Sequence, residues 1–345
     1  MLLEAELTLT SGEEVLDSVC SYAGWRSVEV VDGRFVLNGH PQYLRMALEQ
    51  GYWPESHLAA PSSAALRAEV ELAKSLGLNG LRIHQKVEDP RLLYWADRLG
   101  LFIWDEMPSA YGFSPLSVER LAKEWLEVLR RDRSHPCVIA WVPLNESWGV
   151  PDMRHRPDTR DLATALRYLT SAVDPTRPVV SNDGWEHTDS DIWSVHDYSP
   201  TGAGLTERYG SPEAVASALG NRWPGPRRVV LPGGAERAQA VVLSEFGGLS
   251  MSGLPGEQWD GYATVDSPEA LAKKLTDLVD AICDCEEVAG FCYTQLTDTE
   301  QERNGLVFQD RRAKLAVEDI RAIFSRPSRA VPGEAIRASR RPPAA

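Results

Sequence analysis

Short runs of apolar residues recur along the chain from about residue 41, and polar loops or amphipathic stretches separate them. Several runs are apolar at every position, which is typical of parallel strands buried on both faces. We interpret eight of them as strands, at residues 43–48, 80–83, 101–104, 138–142, 178–180, 192–195, 241–243 and 290–293.

Amphipathic helices are predicted between most of these strands, because apolar residues recur there every three or four positions. Ser62 or Ser63 can cap the first helix, and Ser267 followed by Pro268 is typical of the start of a later one. The apolar stripes are Leu66, Val70, Ala73 and Leu76; Val118, Leu121, Trp125 and Val128; Leu271, Leu275, Leu278 and Ile282; and Leu315, Ile320 and Ile323.

Eight strand–helix units in this order predict an α/β fold of the (β/α)8 TIM-barrel type. The alternative is a doubly wound open sheet, which would usually carry a Gly-rich phosphate loop after its first strand. Residues 49–53 read Glu-Gln-Gly-Tyr-Trp instead, and no GxGxxG occurs.

Three segments differ from the repeating pattern. Residues 1–40 alternate between apolar and polar positions, and Asp32-Gly33 between two such runs predicts a β-hairpin. Residues 199–239 are rich in Gly and Pro and predict an extended loop with a short helix near 212–219. Residues 325–345 contain many Pro and Arg residues and no apolar face, so we expect a disordered tail there.

Composition narrows the class of protein further. The formal net charge of −14 argues against a nucleic-acid partner, and no apolar run is long enough for a membrane span. Five scattered cysteines and acidic residues at the N-terminus favour a reducing compartment and no signal peptide, so we expect a cytoplasmic protein. Eleven tryptophans suit either a core or sugar-binding platforms, for which the candidates are Trp53, Trp148, Trp185 and Trp259.

Polar residues follow the predicted strands, at the end of a barrel where catalytic groups lie. Two runs stand out, because residues 138–144 lead into Asn145-Glu146 and residues 241–244 lead into Glu245. Two carboxylates that face each other across a barrel mouth are the equipment of a glycoside hydrolase. The other strand-end candidates are Arg82, His84, Asp105, Glu106, Asn182, Asp183, His196, Asp197, Tyr198, Gln295 and Asp298.

Taken together, these segments resemble the catalytic barrel of glycoside hydrolase family 2, which contains β-galactosidases, β-glucuronidases and β-mannosidases. The resemblance covers about residues 16–324 and rests on Arg82, the stretches 94–101 and 104–106, Asn145-Glu146 and the stretch 244–248. It implies three parts: a remnant of an immunoglobulin-like β domain with its linking hairpin (1–40), the barrel (41–324) and the tail (325–345).

The resemblance also implies a function and a set of site residues. The chain is expected to be a retaining exo-β-glycosidase without a cofactor, in which Glu146 is the general acid/base and Glu245 the nucleophile. Asn145 matches the residue that binds the sugar 2-hydroxyl, and Tyr198 matches the one that holds the nucleophile. The further expected substrate-binding residues are Arg82, Glu106, Trp148, His196, Tyr293 and Gln295.

Some features depart from the family pattern and leave alternatives open. The metal-binding Glu-x-His of some β-galactosidases is replaced around residues 109–112, so no metal site is expected. The Asn-x-Lys of β-glucuronidases is replaced by Glu302-Arg303-Asn304 before Gly305, so the sugar stays open. The rivals are an inactive carbohydrate-binding remnant and a metal-dependent barrel hydrolase. Self-association is left open, because unpaired strands in residues 1–40 favour it.

Overall fold

The computed structural model describes residues 2–220, 227–233, 238–252 and 262–334. Within these ranges, a curled sheet of parallel strands is surrounded by helices, and a short antiparallel segment precedes it. The architecture is therefore an α/β barrel, as the spacing of the apolar runs predicts. No helix in the described ranges has both the length and the apolar character needed to cross a membrane.

The parallel strands run in the order β10-β11-β14-β6-β7-β8-β9 within one sheet. Each predicted strand except the one at 178–180 is found in the structure. For most of these strands, the observed ends differ from the predicted ends by a few residues. Their bounds are β6 (Leu44–Glu49), β7 (Gly80–Ile83), β8 (Phe102–Glu106), β9 (Val138–Val142), β10 (Ile192–Asp197), β11 (Ala240–Gly247) and β14 (Val288–Thr294). A small separate pair, β12 (Leu249–Met251) and β13 (Ala263–Val265), follows β11.

The predicted fifth strand is irregular in the structure. Residues 178–183 lie beside β9 but pair with it only through two isolated bridges, Trp141 with Val179 and Asn145 with Asp183. Pro143 between these bridges has no N–H to donate, so a continuous ladder cannot form there. On the other side, the N–H of Asp191 donates to the carbonyl of Val179 over 2.9 Å, so the segment fills the position between β9 and β10.

Helices cover the outside of the sheet. Ser62 caps the first helix, Ser267 caps the seventh, and Pro268 occupies the first turn of the latter, all as the sequence predicts. A helix also occurs inside the predicted loop, just after β10. The bounds are α1 (Ser63–Ser75), α2 (Pro90–Leu99), α3 (Pro115–Asp132), α4 (Pro157–Val173), α5 (Gly202–Tyr209), α6 (Pro212–Gly220), α7 (Pro268–Asp284) and α8 (Val317–Phe324).

Alternation along the strands divides the buried residues between two layers. In β6, Leu44, Met46 and Leu48 point into the barrel, whereas Ala47 packs towards the helices. This division follows from the two-residue period of a strand. The barrel interior is therefore packed with side chains, and only the ends of the strands can offer an open site.

The N-terminal segment consists of two hairpins with different surroundings. The predicted turn at Asp32-Gly33 joins β3 (Val28–Val31) to β4 (Arg34–Leu37), and both turn residues have positive φ, as a tight hairpin requires. β5 (His40–Gln42) continues this sheet, and Val28 and Phe35 are buried with the interior layer at the lower end of the barrel. The longer hairpin of β1 (Leu2–Ser11) and β2 (Glu14–Gly24) is exposed over most of its length.

The described part of the C-terminal segment is packed, so the predicted disorder differs from the structure over residues 325–334. Arg45 in β6 is nearly buried and pairs with Glu334 over 2.6 Å, while Ala330 and Val331 are buried. A buried guanidinium needs a partner, and Glu334 supplies it. Residues 335–345 lie outside the described residues.

Candidate active site

The candidate residues converge at the carboxyl end of the barrel. Arg82 comes from β7, Glu106 from β8, His196 from β10 and Glu245 from β11, while Glu146 lies just beyond β9. Each side chain stands where an apolar strand ends, and parallel strands bring these ends together.

Arg82 is the centre of the cluster and is completely buried. Its Nε donates to Glu106 over 2.9 Å, one terminal nitrogen donates to Glu245 over 2.8 Å, and the other donates to Asn145 over 2.8 Å. Burial disfavours a charged guanidinium, but Asp183, Glu106 and Glu245 more than offset this and raise its pKa. Arg82 therefore fixes the position of the Glu245 carboxylate. It also fixes the side chain of Asn145, the residue directly before Glu146.

A tight turn after β9 presents Glu146 to the mouth. Glu146 and Ser147 both have positive φ, a backbone conformation that non-glycine residues seldom adopt and that occurs often at functional sites. The irregular fifth strand holds this turn, because the Glu146 N–H donates to the Asp183 carbonyl over 3.0 Å. In addition, the Ser147 N–H donates to the side chain of Asn182 over 2.9 Å.

His196 lies between the two glutamates. Its Nδ1 is 2.7 Å from Glu146 Oε1, and its Nε2 is 3.0 Å from Asp183 Oδ1 and 3.4 Å from Glu245 Oε1. Burial alone would lower the pKa of His196, but these carboxylates raise it to about 10. Burial likewise favours the protonated form of Glu146, yet the imidazole holds the pKa of this carboxyl below its usual value. Thus, the resting pair carries its proton on His196.

Glu245 is turned towards the mouth by an irregularity in β11. The register of β11 shifts against both neighbouring strands around Ser244 and Glu245, as in a β-bulge. The Tyr198 hydroxyl donates to Glu245 Oε2 over 2.5 Å, so Tyr198 and Arg82 each bind one of its oxygens. Gly248 allows this approach, since a Cβ there would lie 3.1 Å from the Tyr198 ring.

Three predicted site residues lie away from the open mouth. Tyr293 is buried among Phe246 and Phe324 on the helix side of β14, because its neighbours Cys292 and Thr294 take the opposite face. Its prediction as a substrate contact is therefore wrong, and its hydroxyl bonds backbone groups instead. Glu106 is fully buried beneath Arg82, and Gln295 is buried in contact with Gln50 and Asn304. Glu106 thus positions Arg82 rather than contacting solvent.

The candidate tryptophan platforms are in different environments. Trp148 is 48% exposed beside Glu146, and Trp185 packs edge-on against His196. Trp53 is buried beneath the guanidinium of Arg311, whose carbon lies 3.7 Å from the ring centroid, so it offers no free face. Trp259 lies outside the described residues.

Two described side-chain groups have the composition of metal ligands. Asp97, His135 and Cys137 form one group and Glu146, His196 and Glu245 the other, each with three ligand-type atoms within 4.8 Å of one another. In the second group, both imidazole nitrogens face carboxylates, which is the arrangement of an imidazolium and not of a metal-bound imidazole.

The structure adds Tyr262 to the site, and it brings Asp183, one of the strand-end candidates, into contact with the charged groups of the site. Asp183 contacts both Arg82 and His196; burial would raise its pKa, but these two cations hold it well below its ordinary value. Tyr262 stacks on Tyr198 with nearly parallel rings. The only signal for Asp183 in the sequence is its position after a predicted strand, which it shares with many polar residues. No pattern in the sequence predicts that Tyr262 packs against Tyr198.

Comparison of the sequence with known proteins indicates which family has a barrel of this kind. Residues 28–227 match the family model described as "Glycosyl hydrolases family 2, TIM barrel domain". A putative β-glucuronidase of Formosa agariphila is 32% identical over 51% of this chain and 22% of its own length. A β-galactosidase of Vibrio cholerae is 26% identical over 87% of this chain and 29% of its own length. The chain thus spans under a third of these two curated relatives.

Among solved structures, a family 2 β-galacturonidase of Eisenbergiella tayi superposes with a TM-score of 0.70. The superposition covers 91% of this chain and 56% of the β-galacturonidase, at 17% sequence identity. A likeness at this level of identity supports the fold alone. The family model, by contrast, matches more than half of this chain, over the strands that carry Arg82, Asn145, Glu146 and His196. The chain therefore belongs to glycosyl hydrolase family 2, of which it contains the TIM-barrel domain.

Proposed function

We propose that this chain is a retaining exo-β-glycosidase that hydrolyses terminal β-linked sugars. The observation that carries the proposal is the spacing of its two carboxylates: an oxygen of Glu146 and one of Glu245 lie within 4.8 Å of each other. Retaining glycosidases hold their two carboxyl groups about 5–5.5 Å apart, and oxygens that approach within 4.8 Å are compatible with that spacing.

In the first step, Glu245 attacks the anomeric carbon while the bond to the leaving oxygen breaks. Arg82 and Tyr198 each donate a hydrogen bond to this carboxylate, which fixes its direction of attack. His196 Nδ1 passes its proton to Glu146 Oε1, 2.7 Å away, and Glu146 transfers that proton to the leaving oxygen as its bond to the anomeric carbon breaks. The products of this step are a glycosyl-enzyme ester and the free alcohol.

In the second step, Glu146 acts as a base and takes a proton from water. The water oxygen attacks the anomeric carbon, the ester to Glu245 breaks, and the sugar leaves with its original configuration. In this proposal Asn145, whose side-chain oxygen accepts a hydrogen bond from Arg82, binds the sugar 2-hydroxyl, the role that the family resemblance implies. The names of the relatives, β-galactosidase and β-glucuronidase, suggest which sugars to test first.

Replacing the two glutamates separately tests the assignment. Glu245→Gln should abolish activity on every substrate, because no covalent intermediate forms. Glu146→Ala should lose ~10²–10⁴-fold on alkyl glycosides, which need a proton on the leaving oxygen. With a dinitrophenyl leaving group, Glu146→Ala should still form the glycosyl-enzyme, and added azide should release it as a β-glycosyl azide.

A matched control and two contrary outcomes make this test decisive. Glu318→Gln, on the exposed face of α8, should behave as the unmodified protein. Rescue of the Glu245 variant to a β-azide would reverse the two roles. Binding of glycosides without hydrolysis by the unmodified chain would favour the inactive carbohydrate-binding alternative.

A further inference from the structure

A pocket of about 360 Å³ lies outside the mouth and is lined by neither of the candidate catalytic glutamates. One wall is the turn before α4, which carries Arg154 and His155, and the other is the segment that begins at Arg227. Small-molecule sites in proteins occupy roughly 300–1,000 Å³, so the pocket has room for a small ligand.

Hydrogen bonds to the backbone hold both walls of this pocket in place. The Arg160 guanidinium donates to the carbonyl of Met153 over 3.0 Å and to that of Arg154 over 2.8 Å. On the other wall, the N–H of Glu186 donates to the carbonyl of Arg228 over 2.8 Å. The arginine side chains of the pocket therefore extend from backbone whose position is fixed.

The pocket carries more positive than negative charge, although the whole chain has a formal net charge of −14. Its charged side chains are three arginines against two carboxylates: Arg154, Arg227 and Arg228 with Asp152 and Glu186. Asp152 lies 2.7 Å from His155 Nδ1, and Glu186 accepts a hydrogen bond from Arg227 over 3.1 Å. Arg154 and Arg228 have no ion-pair partner among the described residues.

Arg228 also has a hydrogen-bond donor that is not satisfied. Its Nε is buried, and no described group accepts a hydrogen bond from it. A buried N–H without an acceptor costs free energy, so an acceptor that enters the pocket would be bound favourably. Guanidinium groups bind carboxylates especially well, because their N–H groups match the two oxygens.

We propose that this pocket binds the carboxylate of an acidic sugar, of the hexuronic acid class, through Arg154 and Arg228. The choice of an anion follows from the two unpaired guanidinium groups. The choice of a sugar rests on the proposed function, because Pro151 and Arg227 line both this pocket and the space beside Glu146, where a saccharide would lie. The pocket thus holds an acidic unit next to the mouth without taking part in bond cleavage.

Methyl α-glucuronide and methyl α-glucoside provide the test, because they differ only in a carboxylate that replaces a hydroxymethyl group. Neither has the β linkage that the chain is proposed to cleave. In ligand-observed NMR titrations at low ionic strength, the unmodified chain should bind the glucuronide about tenfold more tightly. Arg228→Gln should remove most of this preference, and Arg154→Gln should lower it about two- to fivefold, since Arg154 is exposed.

Arg120→Gln is the matched control, because Arg120 is exposed on α3 and its replacement removes the same charge. This variant should bind both compounds as the unmodified chain does, and the affinity for the glucoside should be equal in all variants. Circular dichroism checks that Arg228→Gln is folded, and the exposed Arg154 gives a second test if it is not. Equal affinity for the two compounds, or a preference that survives both pocket substitutions, would overturn the proposal.

Sodium sulfate at constant ionic strength distinguishes a free anion from an acidic sugar. Sulfate should bind more weakly than methyl α-glucuronide; sulfate that binds as tightly through the same two arginines would overturn the sugar as the ligand.

These titrations also separate the pocket from the proposed function, because binding needs no hydrolysis. A chain that cleaves no β-glycoside but prefers the glucuronide through Arg154 and Arg228 would contradict the proposed function and support the pocket. A chain that cleaves β-glycosides but binds both test compounds equally would support the proposed function and overturn the pocket.

Discussion

His196→Gln removes the cation that joins the two candidate catalytic glutamates. The carboxylates around His196 outweigh the effect of burial and raise its pKa to about 10. The pKa of an unfolded histidine is ~6.5, so the bound proton stabilises the fold fully below about pH 6.5. This stabilisation is lost as the pH rises through about 10, and at pH 7 it is on the order of 4 kcal/mol.

Urea unfolding followed by tryptophan fluorescence measures this contribution. Between about pH 8 and 10.5, the free energy of unfolding of the unmodified chain should fall by roughly 2–3 kcal/mol more than that of His196→Gln. The reason is that only the unmodified chain carries the raised pKa, so the difference between the two proteins should shrink.

His187→Gln is the matched control, since His187 is another fully buried histidine of the same region. Burial lowers its pKa to about 4, so its contribution is present above about pH 6.5 and is lost as the pH falls towards 4. This variant should therefore follow the unmodified chain in alkali. A constant difference between the unmodified chain and His196→Gln up to about pH 10.5 would mean that His196 is neutral and would refute the one-proton pair.

Three further predictions concern metal, stereochemistry and assembly. EDTA should leave hydrolysis unchanged, because His196 bonds carboxylates on both sides; activity that disappears and returns with Mg²⁺ would contradict this. Proton NMR of the first-formed sugar should show the β-anomer, as expected if Glu245 forms a covalent glycosyl-enzyme, and an initial α-anomer would exclude Glu245 as the nucleophile. Light scattering should detect self-association through Leu7, Leu9 and Val19 of the exposed hairpin, and Leu7→Lys should reduce it; a monodisperse unmodified monomer would oppose this.

The regular parts of the barrel could be predicted from the sequence because one local rule determines them. Fully apolar runs such as 138–142 became buried parallel strands, and Ser267-Pro268 began a helix where the rules of helix capping place it. The convergence of residues after the strands followed from the same reasoning, since every parallel barrel brings those ends together.

The exceptions depended on contacts between distant segments. The irregular fifth strand follows from Pro143, yet its consequence, the support of the turn at Glu146 by Asp183, appears only when β9 and residues 178–183 lie together. The family resemblance implies that Tyr293 contacts substrate, whereas the alternation of β14 turns its side chain to the helices. Packing of the segment after residue 325 required Glu334 to meet Arg45 across the barrel base.

The charges of the mouth provide a physical reason for glycosyl chemistry at this place. The groups in direct contact there include two cations and four carboxylates, which are Arg82 and protonated His196 with Glu106, Glu146, Asp183 and Glu245. The cluster is therefore net negative where the anomeric carbon would lie. A transition state with oxocarbenium character is positive at that carbon. Negative charges that are held in place and shielded from water therefore stabilise this transition state more than they stabilise the neutral ground state. The same field would oppose an anionic transition state, which sets glycosyl transfer apart from phosphoryl or acyl transfer at this site.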